Sequence, residues 1–319
     1  MSSAKIIESG KCGDNVNYEL TGDGVLTIFG EGEMYNYSDW FECSPFGRKN
    51  QQIKKVVVEE KITSIGSYAF FECSSLTEVI ISDEVTKIGA ASFKDCTSLM
   101  SIVIPDSVVE IKSSAFCNCL SLVSVSLPVS LTEIECSLFS GCKSLISIVV
   151  PNKVKWISTE AFLGCSALKE VKMPNSLFGI GYSSFQDCIS LVSVTIPNSV
   201  KIIEKRAFAG CISLFEILTS KGLTEIGDYA FWKCSLLTSI KLPNTIYNLG
   251  NYIFGGCVEL KSIISFNVNP VQIEKLGVNF EKCILQVPRG SKKEYENHKT
   301  WRKFKKIEKN TCNYIKIVI

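Results

Sequence analysis

Nine copies of one 23-residue unit follow each other along this chain. Each copy has a phenylalanine, a cysteine three residues later and a leucine three residues after the cysteine, and no copy departs at these positions. A fixed period without insertions predicts one small unit stacked on itself, a solenoid. The nine cysteines are Cys73, Cys96, Cys119, Cys142, Cys165, Cys188, Cys211, Cys234 and Cys257.

Within each unit the apolar pattern predicts a short strand followed by turns. Leu122 to Leu127 has the Leu-x-x-Leu-x-Leu form, in which alternate residues point inward. Proline follows this strand in six units and should end it, because proline has no N–H for a strand ladder. Glycine often precedes the Phe-x-x-Cys segment, where we expect a bend with positive φ. The Phe-x-x-Cys segment itself fits a short helical or 3-10 turn.

These patterns predict a curved, right-handed solenoid with a parallel sheet on one face, short helical or 3-10 turns on the other, and a cap at each end. We expect an N-terminal cap over residues 1–50, a repeat array over 51–266 and a C-terminal cap over 267–319. The array comprises an entry half-turn, in which Gly47 and Asn50 replace Phe and Cys, and nine units. Two apolar runs around Thr21-Gly22-Asp23-Gly24 predict a β-hairpin in the first cap. Ser291 to Glu294 reads as a capping box opening a short helix in the second.

The fifteen cysteines are better explained as core residues than as a disulfide framework. Their number is odd, and nine of them occupy one periodic position, whereas disulfide frameworks have irregular spacings. Buried cysteine behaves as a small apolar residue, so we interpret the nine as reduced. The redox state of the other six stays open: Cys12, Cys43, Cys117, Cys136, Cys283 and Cys312.

Bulk composition excludes several classes of protein. With 46% apolar residues, 21% charged residues and a net charge of +2, the chain has ordinary globular composition and no overall field for nucleic acid. It contains no apolar run of the roughly 18 residues that a membrane helix needs, and its N-terminus lacks the apolar stretch of a signal peptide.

The sequence offers little for catalysis. Its single histidine, His298, is far along the chain from the repeats, although a nucleophilic cysteine or serine needs a nearby base. The closest cysteine pair, Cys117 and Cys119, lacks zinc-site spacing. No glycine-rich phosphate loop follows a strand. We therefore expect no enzyme activity, cofactor or metal.

A basic segment at the C-terminal end allows two interpretations. Residues 289–309 hold nine Lys and Arg against three Asp and Glu. This excess could attract a polyanion. It is better explained as the solvated face of a cap helix whose Tyr295, Trp301 and Phe304 pack inward.

Exposed positions of the predicted strands give the candidate binding site. The first and third variable positions of the strand motif should project from the sheet, and several of them hold apolar residues in the middle of the array. A contiguous apolar patch would indicate an interaction site, although the β-propensity of these residues is the alternative explanation. The candidate residues are Met100, Val103, Val123, Ile146, Val149, Val192, Phe215 and Leu218.

The repeat from Leu191 to Cys211 closely resembles the BspA-like class of leucine-rich repeats. Cys12 to Asn15 is similar to that family's opening segment, and Val287 to Ser291 to its closing segment, so the resemblance covers about residues 10–308. It implies a leucine-rich-repeat solenoid, display on the cell surface and adhesion to host, matrix or cell-surface proteins. Two hypotheses stay open: a noncatalytic protein-binding scaffold of this kind, or a structural, self-associating repeat protein. Since no signal peptide is visible, the second allows a cytoplasmic location.

Overall fold

The computed structural model describes residues 5–38, 44–46 and 51–310, and it is a solenoid in which each turn lies on the one before it. Three kinds of backbone ladder hold successive turns together: a main parallel sheet, a second ladder of two-residue strands, and a ladder of tight turns. The predicted solenoid with a parallel sheet is confirmed. Gly47 and Asn50, assigned to the entry half-turn, lie outside the described residues.

The main sheet repeats once per unit with a register shift of one full unit, as when Ile102 pairs with Val125. The leucine and the following apolar positions point inward, because alternate residues of a strand face opposite sides. Where proline follows, its carbonyl accepts a hydrogen bond from the amide three residues on, so the strand ends in a turn as predicted. The strands are β5 (Lys55–Val58), β7 (Glu78–Ile81), β9 (Ser101–Val103), β11 (Ser124–Ser126), β13 (Ser147–Val149), β15 (Glu170–Lys172), β17 (Ser193–Thr195), β19 (Glu216–Leu218), β21 (Ser239–Leu242), β23 (Ser262–Ser265), β24 (Ile284–Val287) and β25 (Lys306–Lys309).

A second ladder forms from the apolar pair that returns the chain toward the core. It is parallel with the same shift of one unit, so that Ile157 pairs with Ile180 and Ile180 with Ile203. Its strands are β6 (Ile62–Ile65), β8 (Lys87–Ile88), β10 (Glu110–Ile111), β12 (Glu133–Ile134), β14 (Trp156–Ile157), β16 (Gly179–Ile180), β18 (Ile202–Ile203), β20 (Glu225–Ile226) and β22 (Asn248–Leu249).

On the third side the Phe-x-x-Cys segments form tight turns that are also linked between units. In the unit of Cys119, three alternate amides donate to carbonyls of the next turn, as that of Phe116 does to the carbonyl of Leu138. The intervening amides, including that of Cys119, donate to carbonyls three residues earlier. The predicted i to i+3 turns are therefore present, but they do not continue into a helix because every second amide bonds to the next unit.

This arrangement places two residues of each unit in the left-handed region, one position before the cysteine and five before it. In one unit they are Tyr68 at φ 55° and Glu72 at φ 57°. Glycine takes the position before the cysteine in four units, for example Gly141 at φ 75°. Residues with a Cβ adopt this region at a cost of about 1 kcal/mol or more. The hydrogen bonds between turns offset that cost.

The bend glycines have a different role from the predicted one. None of the five glycines that precede the turn segments has positive φ. Instead, they allow the backbone of one turn to approach the previous turn closely: a Cβ on Gly250 would lie 2.2 Å from the amide nitrogen of Asp228, and one on Gly89 would lie 2.3 Å from that of Ser67. The prediction of positive φ there was wrong, because close approach rather than a left-handed bend favours glycine.

The nine repeat phenylalanines form one buried column. Their rings stack on those of the neighbouring turns with centroids 5.2–6.1 Å apart, and all are fully buried. Phe46 extends the column by stacking on Phe70 at 5.6 Å, with Tyr18 edge-on at its other side. Phe46 was missed in the sequence because it lies one position before the register of the repeats.

The nine repeat cysteines are buried core residues, as predicted, and eight of them are also hydrogen-bond donors. The thiol of Cys165 donates to the carbonyl of Phe139 on the preceding turn at 3.1 Å, and the same contact recurs from Cys96 to Cys257 at 3.1–3.3 Å. The Phe carbonyl also accepts the amide of the cysteine in its own unit. Thirteen cysteines lie in the described part of the chain, and all of them are free thiols.

The caps continue the main sheet at both ends. The predicted hairpin is formed by β2 (Val16–Thr21) and β3 (Val25–Gly30), and β3 pairs in parallel with the first array strand, β5. Strand β1 (Ile6–Lys11), which the sequence analysis did not identify, pairs antiparallel with β2. The short strand β4 (Gly32–Glu33) begins the second ladder.

At the other end, helix α1 (Lys292–Asn297) and a 3-10 turn (Trp301–Lys303) follow β24. Ser291 occupies the predicted N-cap, but the capping-box bond is not formed, because its side chain makes no cap hydrogen bond.

Replacing Phe162 by alanine should lower the free energy of unfolding by about 3–5 kcal/mol, because it opens a cavity in the middle of the stacked column. Denaturant unfolding followed by circular dichroism measures this. Phe178→Ala is the matched control, since that ring is 47% exposed and should cost less than about 1 kcal/mol. Equal losses in both variants would contradict a stabilising column.

The buried thiols predict a loss of stability in mild alkali. Burial raises the pKa of Cys165 to about 12, and it raises the pKa of every other repeat cysteine. In the unfolded chain a thiol has a pKa of about 8.5. Because the unfolded state then binds fewer protons, the stabilisation is intact below about pH 8 and declines as pH rises toward 12.

Denaturant titrations at pH 8 and pH 9 measure this loss. Between these two pH values each repeat cysteine should contribute roughly 0.7 kcal/mol to the loss of stability. Cys165→Ala should reduce the pH-dependent loss by that amount, whatever it does to stability at pH 7. Cys136→Ala, which removes an exposed thiol outside the ladder, should leave the loss unchanged. A stability independent of pH in this interval would contradict the role of the buried thiols.

Candidate functional site

The eight candidate binding residues all project from the outer face of the main sheet. Their side chains are 39–71% exposed, whereas the leucines of the same strands are buried. Backbone hydrogen bonds align the first variable positions into a row, since Val123 donates to Met100 and Ile146 donates to Val123. A second row contains the third variable positions, Val103 and Val149 among them. We call these two rows together the strand face.

The strand face is divided into two apolar groups. Strand β15 carries Lys169 and Lys172 in the two rows, and both side chains are exposed. Lys172 also lies 3.7 Å from Glu170 of the same strand. The expectation of one contiguous patch is therefore wrong, because one strand of the series carries charge at both outward positions. The larger group is Met100, Val103, Val123, Ile146 and Val149, and the smaller group is Val192, Phe215 and Leu218.

Ile80 extends the larger group toward the N-terminal end. It is 45% exposed and occupies the third variable position of the first full unit. Ile80 was not among the predicted residues although it has the same place in the motif as Val103, so the motif itself carried the signal.

A shallow groove lies within the larger group, between β11 and β13. Its volume is about 400 Å³, and it is lined by Ser126, Val129, Val149 and Asn152, among others. Serine hydroxyls and apolar side chains alternate along it, and it contains no charged side chain. Such a surface suits contact with a partner more than acid–base chemistry, because no titratable group faces it.

Cysteine chemistry has little support. Burial raises the pKa of the repeat thiols, so the nucleophilic thiolate is scarcely populated at neutral pH. Burial also raises the pKa of the half-buried Cys117. Cys136 is exposed, and the chain's single histidine, the usual base for a nucleophilic thiol, lies in the C-terminal cap.

His298 has a structural role in the C-terminal cap. Its Nδ1 accepts hydrogen bonds from the amides of Thr300 and Trp301, and its Nε2 lies 3.2 Å from Oε1 of Gln272. Partial burial lowers the pKa of the imidazole, which therefore stays neutral and able to accept at pH 7. The ring thus connects the end of helix α1 to the turn that follows.

The described part of the chain contains neither a metal-ligand cluster nor a membrane-spanning helix. No group of three or more His, Cys, Asp or Glu side chains converges there as a metal site would require. Within the same residues, no helix combines the length and apolar character needed to cross a membrane.

The basic segment lies on the C-terminal cap, whose aromatic residues pack inward as one of its two interpretations requires. Tyr295, Trp301 and Phe304 are buried, and the indole of Trp301 donates to the carbonyl of Val271 at 2.8 Å. The lysines and arginines around them are exposed. Burial of the rings accounts for the amphipathic pattern, but it leaves a solvent-exposed basic surface.

Comparison with known structures shows the same fold in a leucine-rich repeat protein from Eubacterium ventriosum. It is 23% identical, the match covers 88% of this chain and 78% of that one, and the TM-score is 0.59. A leucine-rich repeat protein from Bacteroides ovatus is 24% identical over 86% and 94% of the two chains, with a TM-score of 0.45. A leucine rich cell surface protein from Faecalibacterium prausnitzii is 22% identical over 98% and 96%, with a TM-score of 0.48.

Among curated proteins, none matches the chain significantly. The sequence model of the BspA type leucine rich repeat region, in contrast, matches in six copies, over residues 46–169, 86–198 and 155–283. These ranges together span well over half of the chain, and they coincide with the stacked units and their invariant Phe, Cys and Leu positions. The chain therefore belongs to the BspA-type leucine-rich repeat family.

Proposed function

We propose that this protein is a noncatalytic binding scaffold that contacts a protein partner through the strand face. The observation that carries the proposal is the outward projection of all eight predicted apolar residues from one sheet. Each of the two apolar groups is an exposed apolar surface, which is unfavourable in water, and such surfaces often mark interaction sites.

The chemistry of the strand face supports a protein partner. Between the two apolar rows lies a line of small, exposed serines, which includes Ser101, Ser124 and Ser147. Small hydroxyl groups leave the neighbouring apolar side chains accessible, and they offer hydrogen bonds that are cheap to desolvate compared with charges. Apolar contacts edged by polar groups are the usual composition of a protein–protein interface.

The rigidity of the scaffold also favours binding. Met100, Ile146 and Phe215 stand on strands whose inward neighbours are locked in the core and whose backbones are bonded to adjacent turns. Side chains held in this way lose little backbone entropy when a partner docks. The division by Lys169, Glu170 and Lys172 favours a partner with two apolar contacts separated by a polar one.

Surface display and adhesion are part of the same proposal. They come from the resemblance to BspA-like proteins, which implies adhesion to host, matrix or cell-surface proteins. A partner outside the cell is consistent with the mixed apolar and polar strand face. The fold supplies the presentation, while the identity of the partner depends on the variable positions of the strands.

The triple substitution of Met100, Ile146 and Phe215 by glutamate should abolish adhesion. Each change places a charge in the apolar contact, and loss of one interface hot spot typically costs about 2 kcal/mol, or roughly thirtyfold in affinity. Binding of labelled protein to host cells and to immobilised matrix proteins measures the effect.

A variant with Val109, Leu236 and Val258 changed to glutamate is the matched control. These side chains are 49–72% exposed but lie outside the strand face. Retained binding by this control, together with loss in the strand-face variant at equal thermal stability, is the expected result. Undiminished binding by the folded strand-face variant would refute the site, and a wild-type protein that binds none of these surfaces would refute the adhesive function.

A further inference from the structure

Formal charge is separated along the chain although the total is close to neutral. Residues 1–110 contain 17 acidic and nine basic residues, a net charge of −8. Residues 261–319 contain five acidic and 13 basic residues, a net charge of +8, and the segment between them carries +2. Because the chain is a stack of turns in sequence order, separation along the sequence is also separation along the solenoid axis.

The acidic end has a concave surface. Where β3, β5 and β7 end, a groove of about 750 Å³ is lined by Glu59, Glu60, Asp83 and Glu84, with the exposed side chain of Ile80 beside them. All four carboxylates are exposed. The groove therefore combines negative charge with an apolar contact, and Lys61 is its one basic lining residue.

The basic end is built on the C-terminal cap. Lys293, Lys299, Arg302 and Lys309 are exposed around helix α1, the 3-10 turn and the last strand. The buried aromatic residues beneath them fix this surface, since Tyr295 is hydrogen-bonded to the carbonyl of Asn267 at 2.9 Å.

Backbone dipoles do not explain the separation. In the turn ladder, three N–H groups of each unit point toward the C-terminal end of the solenoid, and the carbonyls that they bond point back. The C-terminal end of this ladder is therefore the positive end of its dipole. Side chains that compensated the dipole would be acidic at the C-terminal end. The observed charges have the opposite arrangement, and amides of the second ladder, such as that of Ser158, point the other way, so backbone dipoles supply no reason for the charge separation.

We infer that the acidic N-terminal end of one copy binds the basic C-terminal cap of a second copy, giving head-to-tail association. The two net charges are equal and opposite, and they belong to the same chain. A polyanion would use only the basic end and would leave the acidic groove without a partner. This contact joins different surfaces, so it leaves a free end on each side and extends into chains of molecules. The inference is independent of the strand-face proposal.

Salt dependence provides the first test. Sedimentation velocity of the full chain at concentrations from about 1 to 100 μM should show growing assemblies at about 20 mM salt. These should dissociate to monomers at about 0.5 M salt, because the Debye length falls from about 20 Å to about 4 Å. A monomer at every concentration in low salt, or association that strengthens with salt, would overturn the inference.

Complementary charge reversals provide the decisive test. One variant carries Glu59→Lys, Glu60→Lys and Glu84→Lys; the other carries Lys293→Glu, Lys299→Glu and Arg302→Glu. Each alone should be monomeric in low salt: the first set of reversals makes the groove positive like the cap, and the second removes the net positive charge of residues 289–309. An equimolar mixture should associate, since the unchanged basic cap of the first variant then meets the unchanged acidic groove of the second.

The control reverses three exposed lysines of the central units, Lys143, Lys153 and Lys155, and should associate as the wild type does. Assembly by either reversed variant alone, or a mixture that stays monomeric while both variants remain folded, contradicts end-to-end recognition. Binding of heparin by the basic end without any self-association would also overturn the inference and would identify a polyanion site instead.

Discussion

The stacking of each turn on the next, at a spacing fixed by hydrogen bonds, is the constraint on which the rest of the structure depends. Sheet pairings join equivalent positions of successive units, turn amides bond carbonyls of the following unit, and cysteine thiols bond carbonyls of the preceding one. An insertion in any unit would disrupt all of these contacts at once. Burial of the phenylalanine column stabilises the same alignment of the turns, since each ring covers the face of its neighbour. This is why the period tolerates no exception across nine units.

Cysteine satisfies two requirements at its position that other small residues meet less well. The side chain must be apolar enough to lie fully buried beside Phe and Leu, and it must leave no unsatisfied polar group. A thiol is a weak donor that loses little on desolvation, and here it meets a carbonyl on the previous turn. Serine would bring a more costly hydroxyl, and alanine would leave a cavity. The spacing alone indicated a core residue, and only the geometry between turns showed a donor.

Periodicity predicted the features that repeat and missed those that do not. The strands, the buried Phe, Cys and Leu, the hairpin and the inward-facing cap aromatics followed from pattern and position. Phe46 and β1 lie outside the register of the repeats, so the repeat pattern could not predict them. The residues with left-handed φ could not be predicted from the sequence, because residue types as different as Tyr68 and Glu72 occupy these positions. The division of the strand face could be recognised only from the order of the paired strands, which places Lys169 and Lys172 between the two apolar groups.

Scaffold and surface are chemically independent in this fold, which explains how function can change while the stack is kept. Most between-turn contacts of the scaffold use backbone groups or buried side chains, although exposed pairs such as Lys55 and Glu78 also join turns, so the outward positions carry few folding constraints. Exposed residues such as Phe215 and Lys293 are therefore either selected for contacts with other molecules or not under selection. Apolar residues aligned on one face are unfavourable in water without a partner, and like charges gathered at each end repel one another weakly. The two arrangements share Ile80 and otherwise use different residues, so one molecule can engage a target through its sheet while its ends engage other copies.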